Sequence, residues 1–107
     1  MKNLEFNKND DEMRLLISEM KRKHAIVSLG GGKQKIDKQH AKGKLTAHER
    51  IDYLKDTDAN FLEIGAFVGE GMYPEYGGCP SGGVVAGITY VKDRQCIVVA
   101  NDATVKA

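Results

Sequence analysis

Apolar residues in the first quarter of the chain recur at three- and four-residue spacing. Met13, Leu16, Ile17, Met20, His24 and Val27 form one stripe of a 3.6-residue period, which predicts an amphipathic helix. Asn9 and Asp10 are placed to cap it, and Gly30 to end it. Arg14, Glu19, Lys21, Arg22 and Lys23 occupy the other side, as on a helix lying on a larger body. His24 falls at the edge of the stripe, where a packed or half-exposed side chain is expected rather than a catalytic one.

Gly30-Gly31-Gly32-Lys33 has the look of a phosphate loop but fails its test. It follows a helix instead of a strand, and Lys33 is followed by Gln34, so the hydroxyl that would hold magnesium is missing. The glycines read as a flexible breaker before a short charged helical segment, Ile36 to Ala41. Thr46-Ala47-His48-Glu49 is a capping box: the Thr46 hydroxyl accepts from the Glu49 amide, and the Glu49 carboxylate from the Thr46 amide. It opens a helix to about Leu54 that buries Ile51 and Leu54, and Asp56 to Asn60 forms the polar exit turn. His48 and Arg50 stay near the positive end of that helix, which makes Arg50 a candidate phosphate contact.

From Phe61 the period changes to two, with Leu62, Ile64, Ala66 and Val68 on one side of a strand. Gly69 to Gly83 is a loop with six glycines, two prolines, Cys79 and two tyrosines, long enough to be functional or packed on a partner. Val84 to Val91 and Cys96 to Ala100 read as strands of a hairpin turned by Lys92-Asp93-Arg94-Gln95. Both strands are apolar on two faces and need cover on both. The two modest helices supply too little of it, so the hairpin reads as the first pair of a larger sheet, and Thr104 to Ala107 ends without a terminating signal.

Composition narrows the class. A chain of 107 residues with 41% hydrophobic and 29% charged positions is one globular domain at most, neither disordered nor membrane-spanning. The N-terminus lacks the apolar stretch of a signal peptide and shows no transit peptide, so the cytosol is the expected compartment, or the mitochondrial matrix for a eukaryotic source. Residues 1–56 hold 13 Lys and Arg against 9 Asp and Glu, whereas 57–107 hold 3 against 6. The basic half suits phosphates or an acidic partner, although its modest excess fits a solvated helix face better. Cys79 and Cys96 have no Cys or His at metal-ligand spacing and read as free thiols, Cys96 as a buried strand residue.

Four stretches carry a resemblance. Gly30 to Lys33, Gly43-Lys44-Leu45-Thr46-Ala47-His48-Glu49-Arg50-Ile51, Gly82 to Ile88, and Val99 to Lys106 are similar, in order and interval, to the N-terminal region of carboxyltransferase subunits of biotin-dependent acyl-CoA carboxylases, most of all the methylcrotonoyl-CoA type. Two positions depart from that pattern: His48 stands where arginine is usual, and Asp93 where the hairpin has glycine. The resemblance implies an α/β crotonase-like fold, a spiral of ββα turns of which the N-terminal helices and first strands fit here. It divides the chain into an N-terminal helix over 1–29 and the start of the carboxyltransferase N-terminal domain over 30–107.

The activity it implies is ligase-type transfer of a carboxyl group from carboxybiotin to an acyl-CoA, 3-methylcrotonoyl-CoA or propionyl-CoA, within an ATP-dependent holoenzyme of leucine catabolism. Biotin on a separate carrier domain, a biotin carboxylase and carrier subunit, and further copies of the carboxyltransferase are the implied cofactor and partners, with no metal, nucleic acid or membrane. Such chemistry needs backbone amides that hold an enolate oxygen and the biotin ureido oxygen. These are expected beyond Ala107, so no catalytic residue is assigned and 1–107 alone is expected to be inactive. Lys44, Arg50, Asn101, Asp102, Thr104 and Lys106 are the candidates for an acyl-CoA pocket or phosphate contact. The alternative is a small binding or interaction module working through its basic helices.

Overall fold

A computed structural model of the chain describes residues 2–105. It has a long helix α1 (Lys2–Val27), two short helices α2 (Lys33–Ala41) and α3 (Ala47–Leu54), and strands β1 (Leu62–Ile64), β2 (Val84–Val91) and β3 (Arg94–Asn101). The strands form one antiparallel sheet in the order β1-β2-β3.

Helix α1 begins at Lys2, earlier than a cap at Asn9 or Asp10 would allow. Glu5 in its first turn suits the positive helix end. Asp10 lies inside the helix and accepts from Arg14 Nε at 2.9 Å, one turn on. The apolar stripe is present but uncovered: Met13, Leu16, Ile17 and Met20 are exposed, and α1 has no buried residue. Its last turns meet the body, where half-exposed His24 stands edge-on to Phe67 with ring centroids 6.0 Å apart.

The glycines after α1 break the helix, but they are pinned where flexibility was expected. Gly31 N–H donates to Thr104 Oγ1 at 2.9 Å, and a Cβ on Gly31 would fall on the Thr104 carbonyl oxygen. Close approach of two backbones excludes any side chain there. Helix α2 follows from Lys33, not Ile36.

Helix α3 starts from the capping box as read, with Glu49 N–H donating to Thr46 Oγ1 (3.3 Å) and Thr46 N–H to Glu49 Oε1 (3.1 Å). Ala47 and Ile51, one turn apart, are its buried residues. Leu54 is 52% exposed because it ends the helix outside the contact.

Strand β1 is shorter than the alternation implied. Gly65, at φ 75°, turns the chain, so Ala66 and Val68 leave the sheet. Strand β2 has the expected bounds. Strand β3 starts at Arg94, which leaves a two-residue turn of Lys92 and Asp93, both at positive φ (51° and 62°). Asn-Gly is the usual occupant of such turns. Here the Asp56 carboxylate accepts from both turn amides, Lys92 N–H at 2.7 Å and Asp93 N–H at 2.8 Å, and holds the hairpin from the exit of α3.

The register places Val85, Gly87 and Thr89 of β2 beside Ala100, Val98 and Cys96 of β3 on the face covered by α3. Ala47, Ile51 and Val85 form the buried core, with Phe61, Val98 and Ala100 packed against it. Gly87 has no room for a Cβ, which would meet the Leu62 carbonyl oxygen and the Phe61 ring. On the other face Leu62, Ile64, Ile97 and Val99 are exposed, Ile97 at 76%, and no described residue covers them. Glu63 points to the covered face between two imidazoles, with His24 Nε2 at 3.4 Å and His48 Nε2 at 3.6 Å. The His48 nitrogen is buried and makes no hydrogen bond.

Candidate functional site

The turn after α2, the first turns of α3 and the end of β3 enclose a groove of about 500 Å³. Gly43, at φ 74°, ends the α2 turn and brings Lys42 and Lys44 to the rim. Arg50, in the second turn of α3, lines the opposite wall and donates from Nη2 to the carbonyl oxygen of Asn101 at 2.8 Å. Among the described residues that is the one hydrogen bond of its guanidinium, so most of its five donors remain for a ligand. Leu45 and Ala47 add apolar surface.

Of the sequence candidates, Lys44, Arg50 and Asn101 come together as exposed residues of this groove. Asp102 and Thr104 also line it, but they are buried, at 7% and 3% exposure, and hold one another. Asp102 Oδ1 accepts from the Thr104 amide (3.0 Å) and hydroxyl (2.5 Å), the Thr104 hydroxyl accepts from Gly31, and the Asp102 amide donates to Gly83 O (2.9 Å). They tie the end of β3 to the glycine turns on either side. Lys106 lies outside the described residues.

Sequence reasoning did not name Lys42 and Gln39 of the rim, nor the contact that joins α2 to α3. His40 Nε2 lies 2.6 Å from Glu49 Oε1, the oxygen that also accepts from Thr46. An ionised carboxylate only accepts, so the imidazole is the donor. His40 first, then the amide and hydroxyl of Thr46, hold the Glu49 carboxyl down from its ordinary 4.5 to about 2. A carboxylate lowered on folding stabilises above its unfolded value and loses that contribution as pH falls through the folded one. The start of α3 is therefore expected to hold down to about pH 4.5 and to loosen as pH falls from there to about 2. NMR titration of Glu49 with exchange of the Thr46 amide measures this, and a Glu49 midpoint near 4.5 would contradict it.

The carboxyl transferase domain model matches residues 38–107, which include the groove and the whole sheet. The chain belongs to the carboxyl transferase domain family. It is 42% identical over 96 residues to the biotin-dependent 3-methylcrotonyl-coenzyme A carboxylase beta1 subunit of Mycobacterium tuberculosis, covering 90% of this chain and 18% of that protein. It is 41% identical over 102 residues to the probable mitochondrial methylcrotonoyl-CoA carboxylase beta chain of Drosophila melanogaster, covering 95% and 18%. Among solved structures, transcarboxylase 12S, described as a hexamer with methylmalonyl-coenzyme A and methylmalonic acid bound, superposes with a TM-score of 0.73 at 30% identity over 82% of this chain and 17% of that one. The geranyl-CoA carboxylase beta subunit of P. aeruginosa superposes at 0.56 and 27% identity over 89% and 16%. The fold is thus the α/β, crotonase-like one, represented by the helices and first strands of the carboxyl transferase domain. The chain spans 18% of the length of these two sequence relatives. No described helix is long and apolar enough to cross a membrane.

Proposed function

We propose that this carboxyl transferase chain serves biotin-dependent transfer of a carboxyl group to 3-methylcrotonoyl-CoA, with its groove holding the phosphate-bearing end of the CoA. The convergence of Lys42, Lys44 and Arg50 on one groove, beside apolar Leu45 and Ala47, carries the reading. CoA presents phosphates and an adenine in one piece, and a guanidinium with donors to spare suits a phosphate better than a lone ammonium does. Asn101 contributes a polar edge. Asp102 and Thr104 shape the wall, and Lys106 stays a candidate on its sequence position alone.

Biotin is a separate matter. Its ureido oxygen needs converging amides, and here the amides of Gly31, Thr46 and Glu49 are already bonded within the chain. Those three amides are therefore not available to it. The reading has biotin arrive on a carrier subunit loaded by an ATP-dependent biotin carboxylase, with copies of the carboxyltransferase subunit assembled together, as the hexameric transcarboxylase relative is. Its compartment is the cytosol, or the mitochondrial matrix for a eukaryotic source, whose relatives are named as mitochondrial.

The choice of acyl group leans on the extent of similarity. Relatives named for methylcrotonoyl-CoA align over 90% and 95% of this chain, those named for propionyl-CoA over 87% and 78%. The test is calorimetric CoA binding by the full-length protein, joined to carboxylation of methylcrotonoyl-, propionyl-, acetyl- and geranyl-CoA by the assembled enzyme. Lys44→Ala and Arg50→Ala are each expected to weaken CoA binding about tenfold, with methylcrotonoyl-CoA the preferred substrate. Unchanged affinity in both variants would remove the groove from the CoA site.

A further inference from the structure

The groove has one fixed wall and one suspended wall. Arg50 and Asn101 belong to α3 and β3, which share the buried core and are bonded to each other. Gln39, Lys42 and Lys44 belong to the end of α2 and its following turn, and α2 buries no residue. The start of α2 is fixed by the bond from Gly31 to Thr104. Its end is fixed by the bond from His40 to Glu49, which among the described residues is the only side-chain hydrogen bond from 33–45 to another helix or strand. That bond joins two half-exposed side chains, and such pairs add little to global stability. Its consequence is geometric: it ties the end of α2, beside the lysine wall, to the helix that carries Arg50.

We infer that His40 is a positioning residue for this groove, holding Lys42 and Lys44 opposite Arg50 through Glu49 so that the cations meet a polyphosphate ligand together. The inference rests on reading the groove as the CoA-phosphate site. Three cations held in place bind several phosphates of one ligand with less ordering on association, and releasing one wall restores that cost. His40 is not among the residues that line the groove, so its loss weakens binding and spares the chemical step.

The experiment uses the full-length protein in its assembled form, with CoA titrated by calorimetry and steady-state kinetics run on the acyl-CoA. His40→Ala is expected to raise the Kd for CoA and the KM for acyl-CoA about fivefold while kcat stays within about twofold. His40→Gln, whose amide can still donate to Glu49, restores most of the affinity. In a Lys44→Ala background the effect of His40→Ala shrinks, because the wall it positions has lost a cation. If the alanine variant is not recovered folded, His40→Phe, which keeps ring volume without a donor, takes its place with the same expected result. A CoA affinity that depends on Lys44 and Arg50 but not on His40 overturns this inference alone. One that depends on none of the three overturns the CoA site with it. A fall in kcat equal to that in kcat/KM, without rescue by glutamine, would likewise sink the positioning role.

Discussion

Replacing Gly31 with alanine should destabilise the protein by about 2–4 kcal/mol, through loss of a buried hydrogen-bond network as well as a steric clash. A Cβ at this position lands on the Thr104 carbonyl oxygen and also lies 2.8 Å from Lys35 Cδ, so the two backbones must separate. Separation breaks the bond from Gly31 N–H to Thr104 Oγ1. Thr104 and Asp102 are buried, and each Thr104 donor ends on Asp102 Oδ1, so the disturbance exposes a carboxylate site that was closed. Gly43 provides the control. It has positive φ but open space around it, so alanine there meets only backbone strain, about 1–2 kcal/mol. Urea titration of both variants distinguishes the two mechanisms. Equal losses, or an intact Thr104 amide in hydrogen exchange of Gly31→Ala, would show that close packing is not what Gly31 supplies.

The same contact explains where sequence reasoning stopped. The capping box at Thr46 was legible because its donors and acceptors lie within four residues, and the β2–β3 hairpin was legible from two apolar runs around a turn. The bond from Gly31 to Thr104 spans 73 residues, and no local pattern announces it. So the glycines read as a flexible breaker, while Asp102 and Thr104 read as ligand contacts when their first role is to hold each other. Strand β1 was overextended because alternation continues past Gly65 in the sequence although the chain turns there. Of the groove, Lys44, Arg50 and Asn101 were found, Arg50 from its place near the start of a helix and Asn101 from its place at the end of a strand. Lys42 and His40 were not, since their place depends on how the α2 turn folds back toward α3.

Ile51→Ala should produce a comparable loss by a different route, about 2–4 kcal/mol from lost transfer energy and the cavity left behind. Ile51 is 3% exposed, and among the described residues the buried apolar core consists of Ala47, Ile51 and Val85. With so few buried residues, little is available to collapse into the space, which favours the upper part of that range. Leu54→Ala, on the same helix but 52% exposed, is expected to stay within about 0.5 kcal/mol of the parent. The consequence reaches the groove, because Ile51 seats α3 on the sheet while its neighbour Arg50 bonds to Asn101 at the end of β3. A helix that rocks on a cavity moves Arg50 away from the strand and opens the arginine wall, as loss of His40 opens the lysine wall. Thermal and urea unfolding measure the first effect, and CoA affinity of the still-folded Ile51→Ala protein measures the second. Equal stability losses for Ile51→Ala and Leu54→Ala would mean that α3 is not seated through this core.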